Sequence, residues 1–336
     1  MSVLTTINRA VRRHGLWVTA LLTVAVFFGL FIIGDSSKVV SALLAVGWRI
    51  AVVFVLVTLS YGIRFLKWDY YFRHLGIDIP PKTSLIVFFS GLMMIVTPGK
   101  AGEVWKAWFL RDLDGVPVSQ TVSVVGGERV TDLIALSAFA LLGLLIYQRS
   151  SIVLIGMILL FLVGISVLQW QSFCLRVLGW VEKVPVVSSY ATELEAFYEN
   201  TYTLFQLRPL SIAFIISLIA WGLEGVALWV VLSGFSSQAT LLTALFVFGL
   251  GSVVGAASLL PGGLGATEAS MVGMLVVLGY TQTIAVSATV IIRVGTLWYG
   301  AILGTCVFVI YRFVTGHVGT TQSTDWLLVS LSVINW

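Results

Sequence analysis

Residues 97–112 read TPGKAGEVWKAWFLRD. They follow SLIVFFSGLMMIV (residues 84–96), an apolar run that begins like a membrane helix. Pro98 and Gly99 then break the run, because proline removes a backbone donor and clashes with the preceding turn. Lys100 and Glu103 come directly after the break. Whether that break lies in water or in a bilayer decides the fold.

Composition answers the question. The chain has 336 residues, 59% hydrophobic and only 10% charged, with a mean hydropathy of +1.04. A soluble domain carries about 25% charged residues, so this surface suits lipid rather than water. Long apolar runs point to helices and not to a barrel, whose strands would be short and alternating. The expectation is an all-α polytopic membrane protein with one transmembrane domain over residues 1–336. Cys174 and Cys306 stand far apart, and His14, His74 and His317 form no ligand pair. No cofactor or metal is therefore expected. The net charge of +4 is read through topology and not as nucleic-acid binding.

Outward from the break, the predicted spans are Leu16–Ile33, Leu43–Leu66, the broken pair Thr83–Val96 and Gly99–Leu110, Ser119–Tyr147 and Ile152–Leu168. Leu16–Ile33 is long enough to be a retained helix and not a cleaved signal. A more polar stretch, residues 171–207, is expected to be interfacial. Leu210–Leu232, Leu241–Leu260, Gly265–Leu278 and Thr281–Phe313 follow, then a polar tail, residues 314–336, whose role is left open.

With a cytoplasmic N-terminus, thirteen Lys and Arg fall on the cytoplasmic side (Arg9, Arg12, Arg13, Arg64, Lys67, Arg73, Lys82, Lys106, Arg111, Arg176, Lys183, Arg208 and Arg312). Only Lys38 and Arg149 fall outside, while Arg49, Lys100, Arg129 and Arg293 lie within spans. Positive-inside bias then sets both termini in the cytoplasm and the protein in the cytoplasmic membrane.

PGKAG at Pro98–Gly102 recurs as PGGLG at Pro261–Gly265. An arginine follows each, Arg129 31 residues after Pro98 and Arg293 32 residues after Pro261. On the topology above, the first unit (about 43–147) enters from outside and the second (about 210–313) from inside. This is an inverted repeat with two broken or re-entrant helix pairs, the arrangement in which transporters form midplane substrate sites.

A charge at a helix centre costs roughly 2.5–3.5 kcal/mol on insertion scales, so each needs a partner or a role. Eight qualify: Lys100, Glu103, Glu128, Arg129, Asp132, Glu224, Glu268 and Arg293. A helix restarting after Pro98-Gly99 presents free N–H groups and a positive dipole end, an anion site that Lys100 would strengthen. Pro261, Gly262, Gly263 and Gly265 offer similar backbone, as does Gly102. The plain alternative at each break is a kink between packed helices. In GERVTDLIAL (residues 127–136), Arg129 either pairs with Asp132 at i,i+3 or binds a phosphate bidentately with Glu128 and Asp132 orienting it. Arg293 has no carboxylate within a turn, so Glu268, Glu224 or a ligand must serve it. Glu224 in AWGLEGVALW could instead be a proton site. Gly249, Gly251 and Gly255 are read as close helix contacts.

TPGKAGEVWKAWFLRD, GERVTDLIAL and LPGGLGATEAS (residues 260–270) together resemble the lysylphosphatidylglycerol synthase transmembrane-region family of flippase-like membrane proteins, over roughly Leu16 to Phe313. The family includes the membrane half of bifunctional multiple-peptide-resistance factors, which move aminoacylated phosphatidylglycerol between leaflets. The resemblance implies re-entrant elements and lipid translocation. It carries Pro98, Gly99, Lys100, Gly102, Glu103, Glu128, Arg129, Asp132, Pro261, Gly262, Gly263, Gly265 and Glu268 into the functional core. Bifunctional members continue into an aminoacyl-transferase domain, which is not expected here. The expected function is a carrier for an anionic lipid, with membrane lipid as its partner. The alternatives are an intramembrane transferase, for which RDLDG (Asp112, Asp114) is a weak signal, and a scaffold for a lipid-modifying enzyme.

Overall fold

The computed structural model describes residues 46–97, 101–146 and 191–315, with a few positions between 24 and 41. Pro98, Gly99 and Lys100 therefore lie outside the described residues, as do most of the expected first helix, the expected span Ile152–Leu168 and the tail beyond residue 315.

The described chain is helical throughout and contains no strand. The first half comprises α1 (Arg49–His74), α2 (Pro81–Gly91) continued by a 3-10 turn (Leu92–Val96), a second 3-10 turn (Ala101–Val104) leading into α3 (Trp105–Asp114), and α4 (Val118–Ile146). A connecting helix α5 (Ala191–Leu204) falls in the stretch expected to be interfacial. It lies against α4, where Ser123 Oγ donates to the Phe197 carbonyl at 3.0 Å. The second half comprises α6 (Leu207–Phe235), α7 (Leu241–Ala257), α8 (Ala266–Val277), α9 (Gln282–Arg293), a π turn (Val294–Trp298) and α10 (Tyr299–Val314). Among the described residues, three stretches are long and apolar enough to cross a membrane, Arg49–His74, Leu207–Phe235 and Gln282–Val314.

Each half thus runs as a long helix, two short helices around a break, and a second long helical stretch. Local chemistry sets the ends. Pro81 opens α2, where its missing N–H costs nothing. Thr240 and Thr281 cap α7 and α9, accepting from the Thr243 and Ile284 amides and so satisfying otherwise orphaned donors.

The two leading helices, α1 and α6, run antiparallel. Arg49 lies against Gly234, Ser60 bonds Glu224, Arg64 lies over Trp221 and Lys67 bonds Ser217, so residue numbers rise along one helix as they fall along the other. The halves also exchange their short helices: α7 packs on α4 and α2 packs on α10. At the first of these contacts a Cβ on Gly249 would meet the Leu136 carbonyl at 2.7 Å and Phe139 Cβ at 2.9 Å. The glycine is what lets the two helices approach, as expected for small residues in membrane helices.

One expectation is corrected. The second span was to end at Leu66, leaving Lys67 at the cytoplasmic surface with Arg64 and Lys106. Instead α1 continues to His74, and Arg64, Lys67 and Lys106 are buried. Hydropathy ends a span where charges gather, here at Arg64 and Lys67, whereas a helix continues wherever the protein interior supplies counter-charges.

Candidate functional site

α4 presents Glu128, Arg129 and Asp132 on about one turn, and the short elements around the first break bring their partners. Glu128 Oε2 is 2.9 Å from Lys106 Nζ, and Glu103 Oε2 is 3.1 Å from Arg129 Nη2 and 3.7 Å from Lys106. Asp132 receives Lys67 at 2.5 Å, Arg129 at 3.5 Å and Arg64 at 4.0 Å. Lys67 Nζ also donates to Ser217 Oγ at 2.8 Å and to Thr131 Oγ1 and the Glu128 carbonyl at 3.3 Å. Lys106 sits 4.4 Å from the Trp68 ring centroid, a desolvated cation–π contact. A buried charge is tolerated when paired and hydrogen-bonded, and this cluster supplies both conditions.

The second half is simpler. Arg293 Nε lies 2.5 Å from Glu268 Oε1, and its Nη2 donates to the Gly262 carbonyl at 2.7 Å. The other Glu268 oxygen accepts the Gly265 amide at 2.6 Å. Gly265 has φ of 85°, a left-handed conformation that favours glycine. Glu268 thus caps α8, where the helix dipole favours a carboxylate, and holds the arginine. In both halves an arginine reaches back to the glutamate that follows the break, Arg129 to Glu103 and Arg293 to Glu268. The partner question left open for Arg293 is answered by Glu268.

Two of the break amides are engaged by the protein itself. Gly102 N–H donates to Thr97 Oγ1 at 2.9 Å, and Gly265 N–H to Glu268. The cations best placed to meet an anion are the guanidinium groups of Arg64, Arg129 and Arg293.

Those groups meet in one cavity of about 260 Å³. Arg64 and Arg129 from the first half and Arg293 from the second line it, with Asp132, Glu224 and Tyr61. Arg129 is the most open of the three, its side chain 23% exposed against 10% for Arg293 and 3% for Arg64. The Arg129 Nε is buried without a hydrogen-bond partner. Arg64 lies 4.9 Å from the Trp221 ring centroid and 5.8 Å from that of Tyr61. Glu224 accepts a hydrogen bond from Ser60 Oγ at 2.9 Å. Ile95, just before the first break, and Gly262 and Gly263 of the second reach the same space. Leu133, Leu136, Phe248, Leu259 and Leu260 supply an apolar part of the wall, while Ser252, Thr267 and Thr296 add hydroxyls. Leu133, Leu259 and Leu260 are exposed as well as lining this space, so the apolar part of the wall lies at its open side. Such a space fits a small amphipathic group with negative charge at one end.

Of the expected site residues, Arg129, Asp132, Glu224, Gly262, Gly263 and Arg293 line the cavity. Glu103, Glu128 and Glu268 stand behind it, holding the arginines and Lys106. Arg64, Lys67 and Lys106 were not among the expected intramembrane charges. Ser60, Arg64, Lys67 and Tyr71, all buried, recur at spacings of four, three and four, which is one helix face. That polar stripe in an apolar helix was the available signal. Asp112 lies at the end of α3 beside Arg111, 3.9 Å away, and among the described residues no group of metal-ligating side chains forms.

The model of the lysylphosphatidylglycerol synthase TM region family matches residues 17–304. A UPF0104 membrane protein of Methanothermobacter thermautotrophicus is 27% identical over 312 residues, covering 85% of this chain and 91% of its own. A UPF0104 membrane protein of Pyrococcus horikoshii is 22% identical, covering 71% and 80%. With the match spanning both breaks and both arginines, the chain is an integral membrane protein that belongs to the lysylphosphatidylglycerol synthase TM region family.

Proposed function

We propose that this protein is a flippase-like carrier that moves an anionic, phosphate-bearing lipid or lipid-linked headgroup between membrane leaflets. One observation carries the reading: Arg129 and Arg293, from opposite halves of the chain, line one cavity that also carries the exposed leucines Leu133, Leu259 and Leu260. Arginine forks suit phosphate oxygens, and exposed leucines suit acyl chains left in the bilayer. The antiparallel α1 and α6, together with the exchange of short helices, support the two halves acting as inverted repeats around a midplane site. The Lys and Arg bias supports a cytoplasmic membrane with both termini inside. No chemical step is assigned to the cluster, so the reading is of a carrier and not an enzyme.

The test is reconstitution in vesicles containing fluorescent phosphatidylglycerol in one leaflet. Wild-type protein is expected to speed its appearance in the other leaflet, and Arg129→Ala to abolish the gain. Equal rates in protein-free, wild-type and variant vesicles, repeated with a polyprenyl phosphate, would refute the proposal.

A further inference from the structure

Arg293 is followed at once by the π turn Val294–Trp298, in which the Tyr299 amide donates five residues back to the Val294 carbonyl. π turns occur mostly as single insertions in helices, frequently at functional sites. Two hydrogen bonds tie this region to α1: Tyr61 Oη donates to the Thr296 carbonyl within the turn at 2.5 Å, and Thr58 Oγ1 lies 2.7 Å from the hydroxyl of Tyr299, which closes it. Tyr61 and Thr296 both line the cavity. Gly300, on the next turn, has no side chain to oppose the tyrosine, and a Cβ there would run into the Tyr61 hydroxyl. The first half is different at the matching place, since α4 passes through Arg129 as uninterrupted α-helix. Arg129 is also the more exposed arginine, whereas Arg293 is drawn back onto Glu268 and the Gly262 carbonyl.

We infer that Tyr61 is a positioning residue for Arg293: its hydroxyl latches the π turn, and an entering anionic headgroup releases it. The chemistry is an exchange of acceptors. An ionised phosphate oxygen is a stronger acceptor than a neutral carbonyl, so the Tyr61 O–H turns from Thr296 to the ligand. The π turn, then held to α1 only at its closing residue through Thr58 and Tyr299, converts toward α-helix. Removing one residue's worth of extra winding turns α9 relative to α10 by up to roughly 100°, which carries Arg293 away from Glu268 toward the bound headgroup. The ligand class rests on the carrier reading above; the latch itself does not.

The test is hydrogen exchange of residues 293–300 in the full chain, held in phosphatidylcholine nanodiscs with and without phosphatidylglycerol. In the wild type, phosphatidylglycerol is expected to speed exchange about fivefold, the factor that one net hydrogen bond makes in an opening equilibrium. Tyr61→Phe, which keeps the ring and deletes only the hydroxyl, is expected to exchange at that faster rate without phosphatidylglycerol and to ignore its addition. Gly300→Ala, which displaces the hydroxyl but retains it, is expected to do the same. Exchange in Tyr61→Phe equal to wild type in plain phosphatidylcholine would overturn the latch, and so would a wild type indifferent to phosphatidylglycerol. If the segment responds as expected while vesicles show no lipid movement, the latch stands and the carrier reading falls. If lipid moves but Tyr61→Phe exchanges as wild type, the latch falls alone.

Discussion

Lys67 Nζ lies 2.5 Å from Asp132 Oδ1, with the lysine side chain fully buried. Ser217 bonds both, receiving from Lys67 at 2.8 Å and donating to Asp132 at 3.1 Å. One triangle therefore joins α1, α4 and α6, the long helices that wall the cavity. Removing one member of a buried pair leaves the other charge uncompensated, at about 3–5 kcal/mol. Asp132 serves Lys67, Arg129 and Arg64 together, so Asp132→Ala is expected to cost more stability than Lys67→Met. The double variant is expected to cost less than the sum of the two singles. Thermal unfolding of the three variants in detergent, arranged as a double-mutant cycle, measures the coupling.

Arg129 and Arg293 are expected to be unequal partners of a phosphate. Arg129 is the more exposed and has an Nε with no hydrogen-bond partner, whereas Arg293 is engaged through both Nε and Nη2, so Arg129 gives up less to bind a ligand. A charge-assisted hydrogen bond contributes about 1.5–3 kcal/mol, or roughly 10- to 100-fold in affinity. Arg129→Ala should lose that much affinity for phosphatidylglycerol, and Arg129→Lys should recover little of it, because an ammonium lacks the planar fork. Lipid binding by native mass spectrometry checks both, and full recovery with lysine would mean that charge alone matters.

Much of this architecture was readable in the residues. The two Pro-Gly breaks, the arginine after each and the glutamate in each restarted helix are local patterns, visible without tertiary information. The extent of α1 was not, since Arg64 and Lys67 find their counter-charge on α4, more than sixty positions later. A span read by hydropathy stops at such residues, because their compensation is invisible in any window of the sequence. The fate of the break amides was hidden for a related reason. Thr97 and Glu268 were in plain view, but whether a side chain folds back onto an amide depends on the path of the turn.

Glu268 has two jobs that substitution separates. As a cap it accepts the Gly265 amide, and as an anion it holds Arg293. Glu268→Gln retains an acceptor for the cap and loses the charge, whereas Glu268→Ala loses both. Cap removal costs about 0.5–2 kcal/mol, and the unpaired arginine adds to it in each variant. The alanine variant should therefore melt below the glutamine variant, and both below wild type. Identical melting of the two would mean that the cap contributes nothing.

Leu259 is the one residue other than glycine with positive φ among the described residues, at 54°. It stands on the cavity wall just before Pro261 and is 69% exposed. Left-handed backbone costs an ordinary L-residue roughly 1–2 kcal/mol, and little burial is present at this side chain to offset it. Strain of this kind persists where the surroundings enforce it and gathers at functional sites. Leu259→Gly removes the strain but loosens the unfolded chain, at about 0.5–1 kcal/mol, so the net expectation is a gain of up to roughly 1 kcal/mol in stability. If the leucine also guides acyl chains at the cavity wall, the same variant should move lipid more slowly while unfolding at a higher temperature. Melting and vesicle transport measured on one preparation decide the matter: a rise in both would show that the strained leucine serves neither folding nor transport.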